Sequence, residues 1–153
     1  MFRLRRIDVP LGKIPMYYLE KDGKVDMLDD RKELENQQPF KKQLQNIDAI
    51  MQRVSRLLPL APEKHKQYDR ESIRGKRIPY YEFKTTDIRV FSFHIAGGEA
   101  LVNVYLKNDS EQTKRENALI AKMKIVYNEI EKYGGIDIVN EKGELIHRWE
   151  PKK

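Results

Sequence analysis

Apolar residues recur at spacings of three and four between Pro39 and Leu58, where Phe40, Leu44, Ile47, Met51, Val54 and Leu58 line one face of a predicted helix. Pro39 suits the first turn of that helix, and Pro59 and Pro62 stop it. Asp30 to Asn36 is expected to add a helical turn ahead of it. A second stripe of Leu119, Met123, Val126, Ile130 and Tyr133 predicts a helix that starts after Ser110 or Thr113 and ends at Gly134-Gly135. Between the two helices the period changes to two. Ile78 to Lys84, Ile88 to Ile95 and Ala100 to Lys107 read as three strands, the last two joined through Ala96-Gly97-Gly98-Glu99, because paired glycines accept positive backbone angles. Alternation puts Arg89, Phe91, Phe93 and Ile95 on one face of the middle strand. On the third strand it sets Ala100, Val102, Val104 and Leu106 against the helices and leaves Asn103, Tyr105 and Lys107 open to solvent or ligand.

The ends are patterned more weakly. Arg3 to Val9 reads as a short strand limited by Pro10 and Pro15, and Ile14 to Leu28 as a hairpin turning at Asp22-Gly23. Ala61 to Lys76 is polar and proline-marked and reads as a loop with room for a short helical turn, more often a solvated connector than a functional arm, although its basic residues could rim a binding groove. The tail after Gly135 predicts a hairpin across Glu141 to Gly143, with Trp149 covering an open edge of the core. The expectation is one α+β domain over residues 1–153. Its small twisted antiparallel sheet packs against helices in a core at about 40–133, with an N-terminal hairpin extension at 1–38 and a C-terminal hairpin at 136–150.

Composition adds a location for charge. The 153 residues carry a formal net charge of +6 with 35% charged residues, a balance that favours a polyanionic partner. Residues 1–30 hold six basic and six acidic side chains and residues 108–153 nine of each, so the surplus lies in 31–107, across the long helix and the central strands. No cysteine is present, which rules out disulfides and thiolate chemistry. No apolar run is long enough to span a bilayer and the first residues lack a signal-peptide core, so a cytoplasmic location with no membrane partner is expected.

Motifs for bound groups are missing. Gly97-Gly98 lacks the lysine and Ser or Thr of a phosphate loop, His65, His94 and His147 have no metal-ligand spacing, and no Gly-x-Ser-x-Gly elbow occurs, so neither metal nor cofactor is expected. His94 reads as an ordinary strand residue. What remains is a set of cations and phenols: Lys76, Arg77, Tyr80, Tyr81, Lys84, Arg89, Tyr105 and Lys107, with Tyr127 and Tyr133 from the last helix. RNA cleavage beside a 2′-hydroxyl needs that proton removed, charge at phosphorus stabilised and the departing oxygen protonated. Lysine and tyrosine suit the proton steps only when their surroundings or the bound substrate prepare them, whereas arginine keeps the charge that the phosphate step requires. Aromatic rings could instead stack on unpaired bases and hold RNA without cutting it.

The blocks YYEFK (Tyr80 to Lys84), IRVFSF (Ile88 to Phe93) and ALVNVYLKND (Ala100 to Asp109), followed by a helix, resemble the RelE/HigB-type toxins of bacterial toxin-antitoxin systems, including the phage-derived HigB-like group. The resemblance covers roughly residues 40–133. It implies a RelE-like sheet backed by helices and an mRNA endonuclease, usually acting on the translating ribosome and neutralised by a partner antitoxin. By the same resemblance Arg89 matches the phosphate-binding arginine of the middle strand and Lys107 the basic residue after the third, with Lys84 a weaker match and Tyr133 a candidate for the C-terminal member of the catalytic set. Lys76, Arg77, Tyr81 and Tyr105 would then bind RNA. The chain departs from the pattern at Asn108-Asp109-Ser110, where many relatives place further lysines. A non-catalytic module holding RNA or a protein on the same fold is the alternative, and a structural or phage-associated role a third.

Overall fold

The computed structural model describes residues 1–152. Its strands are β1 (Phe2–Ile7), β2 (Met16–Lys21), β3 (His65–Ile73), β4 (Lys76–Lys84), β5 (Ile88–Ile95), β6 (Gly98–Leu106), β7 (Ile136–Val139) and β8 (Leu145–Trp149). Its helices are α1 (Asp26–Glu35), α2 (Gln38–Arg56) and α3 (Gln112–Tyr133). All eight strands join one mixed sheet in the order β3-β4-β5-β6-β2-β1-β7-β8. The α+β class and the β4-β5-β6 meander agree with the sequence reading, but the sheet is neither small nor purely antiparallel. β2 runs parallel to β6, and β7 parallel to β1.

Helices cover both faces of this sheet. Leu34 of α1 and Leu44, Ile47, Ile50 and Met51 of α2 pack on Phe83, Ile88, Val90, Leu101 and Val104. On the other face Leu119, Met123, Val126 and Ile130 of α3 pack on Phe91, Phe93, Ala100, Val102, Ile136 and Ile138. A strand covered on both sides must be apolar on both sides, which is why β5 is buried along nearly its whole length.

Three local expectations change. The turn at Asp22-Gly23 forms, with φ of 51° and 82°, yet no returning strand follows it. Asp26 and Asp29 instead occupy the first turn of α1, where the helix dipole favours acids, and β2 is already paired with β1 and β6. The expected loop Ala61 to Lys76 contains β3, an edge strand whose exposed charged residues hide its period, with a register shift between Tyr68 and Glu71. Finally, Phe91 pairs with Asn103 and Ser92 with Leu101, so Val102 is an extra residue in β6. This bulge exchanges the faces beyond it. Val104 turns to the α1/α2 side and Tyr105 to the α3 side.

Candidate functional site

Alternation along β4 places Glu82 on the α3 face, where it is 1% exposed. A buried carboxylate needs donors, and it has them from five elements. Tyr68 of β3 donates at 2.7 Å, Tyr105 of β6 at 3.0 Å and Gln112 at the start of α3 at 2.8 Å. Lys84 Nζ lies 3.5 Å away and Arg89 Nε 3.8 Å away. Burial, then the neighbouring Glu82 charge, raises the Tyr105 phenol, and burial with the hydrogen bond to Glu82 raises Tyr68. Both therefore stay protonated and act as donors.

Arg89 and Lys84 thus meet, as the sequence reading requires, but around an internal anion and not over open solvent. The Arg89 side chain is 11% exposed. Its Nη1 donates to the carbonyls of Thr85 and Ile88 at 2.5 and 2.9 Å. Lys107 lies at the same end of the sheet, its backbone N–H donating to the Asp87 carbonyl and its exposed ammonium 3.9 Å from Asp109. The ring of Tyr105 lies beneath the Arg115 guanidinium, 4.1 Å from its centroid, so it offers no free stacking face on that side.

The other expected residues lie elsewhere. Tyr133 ends α3, whose first residue Gln112 touches Glu82; at about 1.5 Å per residue the helix separates the two by about 30 Å. Lys76 and Arg77 open β4 at the end away from Lys84, where Lys76 donates to the Lys152 carbonyl at 3.1 Å and Arg77 edges a shallow hollow with Gln67 and Arg70. Tyr81 faces the opposite side of the sheet from Arg89.

Around Tyr81 is a second cluster that the sequence reading passed over. Glu99, on β6 and 1% exposed, takes hydrogen bonds from His65 Nε2 at 3.0 Å, His94 Nε2 at 3.2 Å and Ser92 at 3.0 Å. Burial alone would raise its carboxyl, but the hydrogen bonds from His65 and His94 outweigh it and bring the group below the usual carboxylate range. The Tyr81 ring stacks on His65 at 4.4 Å and on His94 at 4.7 Å. These residues floor a cavity of about 800 Å³ walled by Ile14, Val54, Leu57, Leu58 and Leu60. The pairing of His94 with Glu99 across the two-residue turn Ala96-Gly97 was readable from the glycine signal. The part played by His65 was not, because β3 was not expected.

Among the described residues no cluster of His, Cys, Asp and Glu has the arrangement of a metal site, and no helix is long and apolar enough to cross a membrane. Comparison with protein-family models, curated proteins and solved structures gives no match to the chain.

Proposed function

We propose that the protein is a metal-independent endoribonuclease of the RelE/HigB toxin class, cutting messenger RNA at the translating ribosome in the cytoplasm and neutralised by an antitoxin protein. The observation that carries this reading is the gathering of Lys84 and Arg89, from adjacent strands, on one anion position, with Lys107 at the same end of the sheet. The order of a helical layer, a three-stranded meander with arginine in its middle strand and a closing helix also agrees with the resemblance. In this mechanism an RNA phosphate takes up the contacts now made to Glu82. Arg89, which cannot deprotonate, meets the charge that develops at phosphorus, and Lys84 and Lys107 add positive potential. Because Gln112 is bonded to Glu82 and Arg115 covers Tyr105, entry requires the first turn of α3 to move aside. Tyr133 has no part in this site.

The test is induced expression together with cleavage of mRNA in a translating extract. The wild type is expected to arrest growth and cut, and Arg89→Ala to abolish both. Absence of cleavage by the wild type, on free and ribosome-bound mRNA alike, refutes the proposal. A second reading, a non-catalytic RNA- or protein-binding module on the same fold, is favoured by the engagement of the Arg89 guanidinium with two carbonyls of its own strand end. RNA retention that survives Arg89→Ala without cleavage identifies that outcome.

A further inference from the structure

The cavity over Glu99 lies on the α1/α2 side of the sheet and plays no part in the Arg89 site. His65, Tyr81 and His94 form a row of three stacked rings. The inner member, His65, is 14% exposed, whereas the outer one, His94, is 42% exposed although one face rests on Tyr81. The row therefore ends in an open ring face. Both imidazoles use Nε2 on Glu99, and Nδ1 of His94 has no hydrogen-bond partner among the described residues. Leu57 and Leu58, at the end of α2, are 63% and 45% exposed and stand across the cavity as an apolar wall. Arg53 also lines it, with Nη1 on the Pro59 carbonyl, and so brings a cation to the rim.

We propose that this cavity is a nucleotide-binding site, in which a heteroaromatic base continues the stack on His94, hydrogen-bonds to His94 Nδ1 and directs its phosphate toward Arg53. A flat ring suits the site better than an aliphatic chain, because the floor is an unfinished aromatic stack with a ring nitrogen at its edge. The carboxylate of Glu99 fixes the tautomer that leaves Nδ1 free, as carboxylates do for imidazoles elsewhere. The volume of about 800 Å³ falls in the range of small-molecule sites and exceeds what one base requires. Both a free nucleotide and an unpaired base of RNA supply this chemistry.

The 153-residue chain is titrated with AMP, adenosine, ribose 5-phosphate and a single-stranded oligoadenylate, following the ring protons of Tyr81 and His94 by NMR. AMP is expected to shift those protons. His94→Ala is expected to weaken AMP by at least about fivefold, the loss of one base stack, and His94→Phe to restore most of it. Arg53→Ala is expected to weaken AMP and leave adenosine unchanged. Oligoadenylate binding more tightly than AMP assigns the site to RNA, and AMP binding with no gain from the oligomer assigns it to free nucleotides. Equal binding of ribose 5-phosphate, ring protons unmoved by every ligand, or AMP affinity unchanged in a folded His94→Ala protein each overturns the proposal. Loss of nuclease activity in Arg89→Ala bears on the other face alone, so the two readings fail separately.

Discussion

At the scale of single residues, three buried glutamates define the electrostatics, and each is matched to donors on other strands. Glu82 is the most heavily engaged. Glu82→Ala would leave two phenols, an amide and two cations facing a hole, so we expect a loss of about 3–5 kcal/mol in urea unfolding. A loss below about 1 kcal/mol would mean that solvent already satisfies these groups. Glu20 is fully buried between Arg3, at 2.5 Å, and Arg5, and burial, which raises its carboxyl, is outweighed by hydrogen bonds from both arginines. Glu99 follows the same logic with imidazoles in place of guanidinium groups. Its native carboxyl lies below the unfolded value, so its contribution is fully present above about pH 4.3 and is lost as pH falls through the native value. Glu99→Gln is therefore expected to be less stable than wild type at pH 6 and to converge with it as the solution is acidified. A stability gap that stays constant down to pH 3 would show that the carboxylate charge contributes nothing. Arg89 and Lys84 were visible in the sequence as basic residues on strands. Their common partner Glu82 was not recognised, because an acid between Tyr81 and Phe83 reads as a solvated position until α3 is known to cover it.

At the scale of elements, the two adjacent glycines after Ala96 do different work. Ala96 and Gly97, with φ of 52° and 70°, form the two-residue turn, whereas Gly98 is already in β6. A Cβ on Gly98 would come within 2.0 Å of the Pro15 carbonyl oxygen, at the start of the parallel junction with β2; one on Gly97 would meet open space. Gly98→Ala should thus cost on the order of 3 kcal/mol or more by forcing β2 away from β6, and Gly97→Ala about 1 kcal/mol for the positive φ alone. Thermal unfolding of the two variants checks the order, and equal costs would remove the close approach as the reason for Gly98. The hairpin was legible from the glycines, since turn chemistry is local. The bulge at Val102 was not, since no residue type marks it, and it reversed the faces assigned to Val104 and Tyr105. Amphipathic α2 and α3 were legible to within about two residues, because the stripes that predict them are the stripes that pack, except for their last members Leu58 and Tyr133, which are exposed.

At the scale of the whole molecule, what the sequence concealed is the order of the sheet. β2 pairs with β6 across about eighty residues, and no periodicity reports a partner at that distance. The N-terminal strands therefore looked like an appendage, yet β2 lies between β6 and β1 inside the sheet. The C-terminal hairpin has a similar part to play. Ile136 and Ile138 of β7 belong to the core on the α3 side, and β7 covers the free edge of β1 by parallel pairing at Arg3, Leu4 and Arg5. Removing residues 136–153 would bare that edge together with the apolar side chains of Phe2, Leu4 and Ile130, leaving unpaired backbone beside exposed hydrophobic surface. The shortened chain is expected to associate or precipitate at concentrations where the full chain is monodisperse by size-exclusion chromatography. If it stayed monodisperse with an unchanged melting temperature, β1 would be held by β2 alone and the sheet would end there in energetic terms. The hairpin then closes the sheet in place of a further helix. Its own outer strand, β8, keeps Leu145 and Ile146 exposed beside charged Arg148, which donates to Asp137 of β7 at 2.8 Å and so ties the last strand to the one that protects β1.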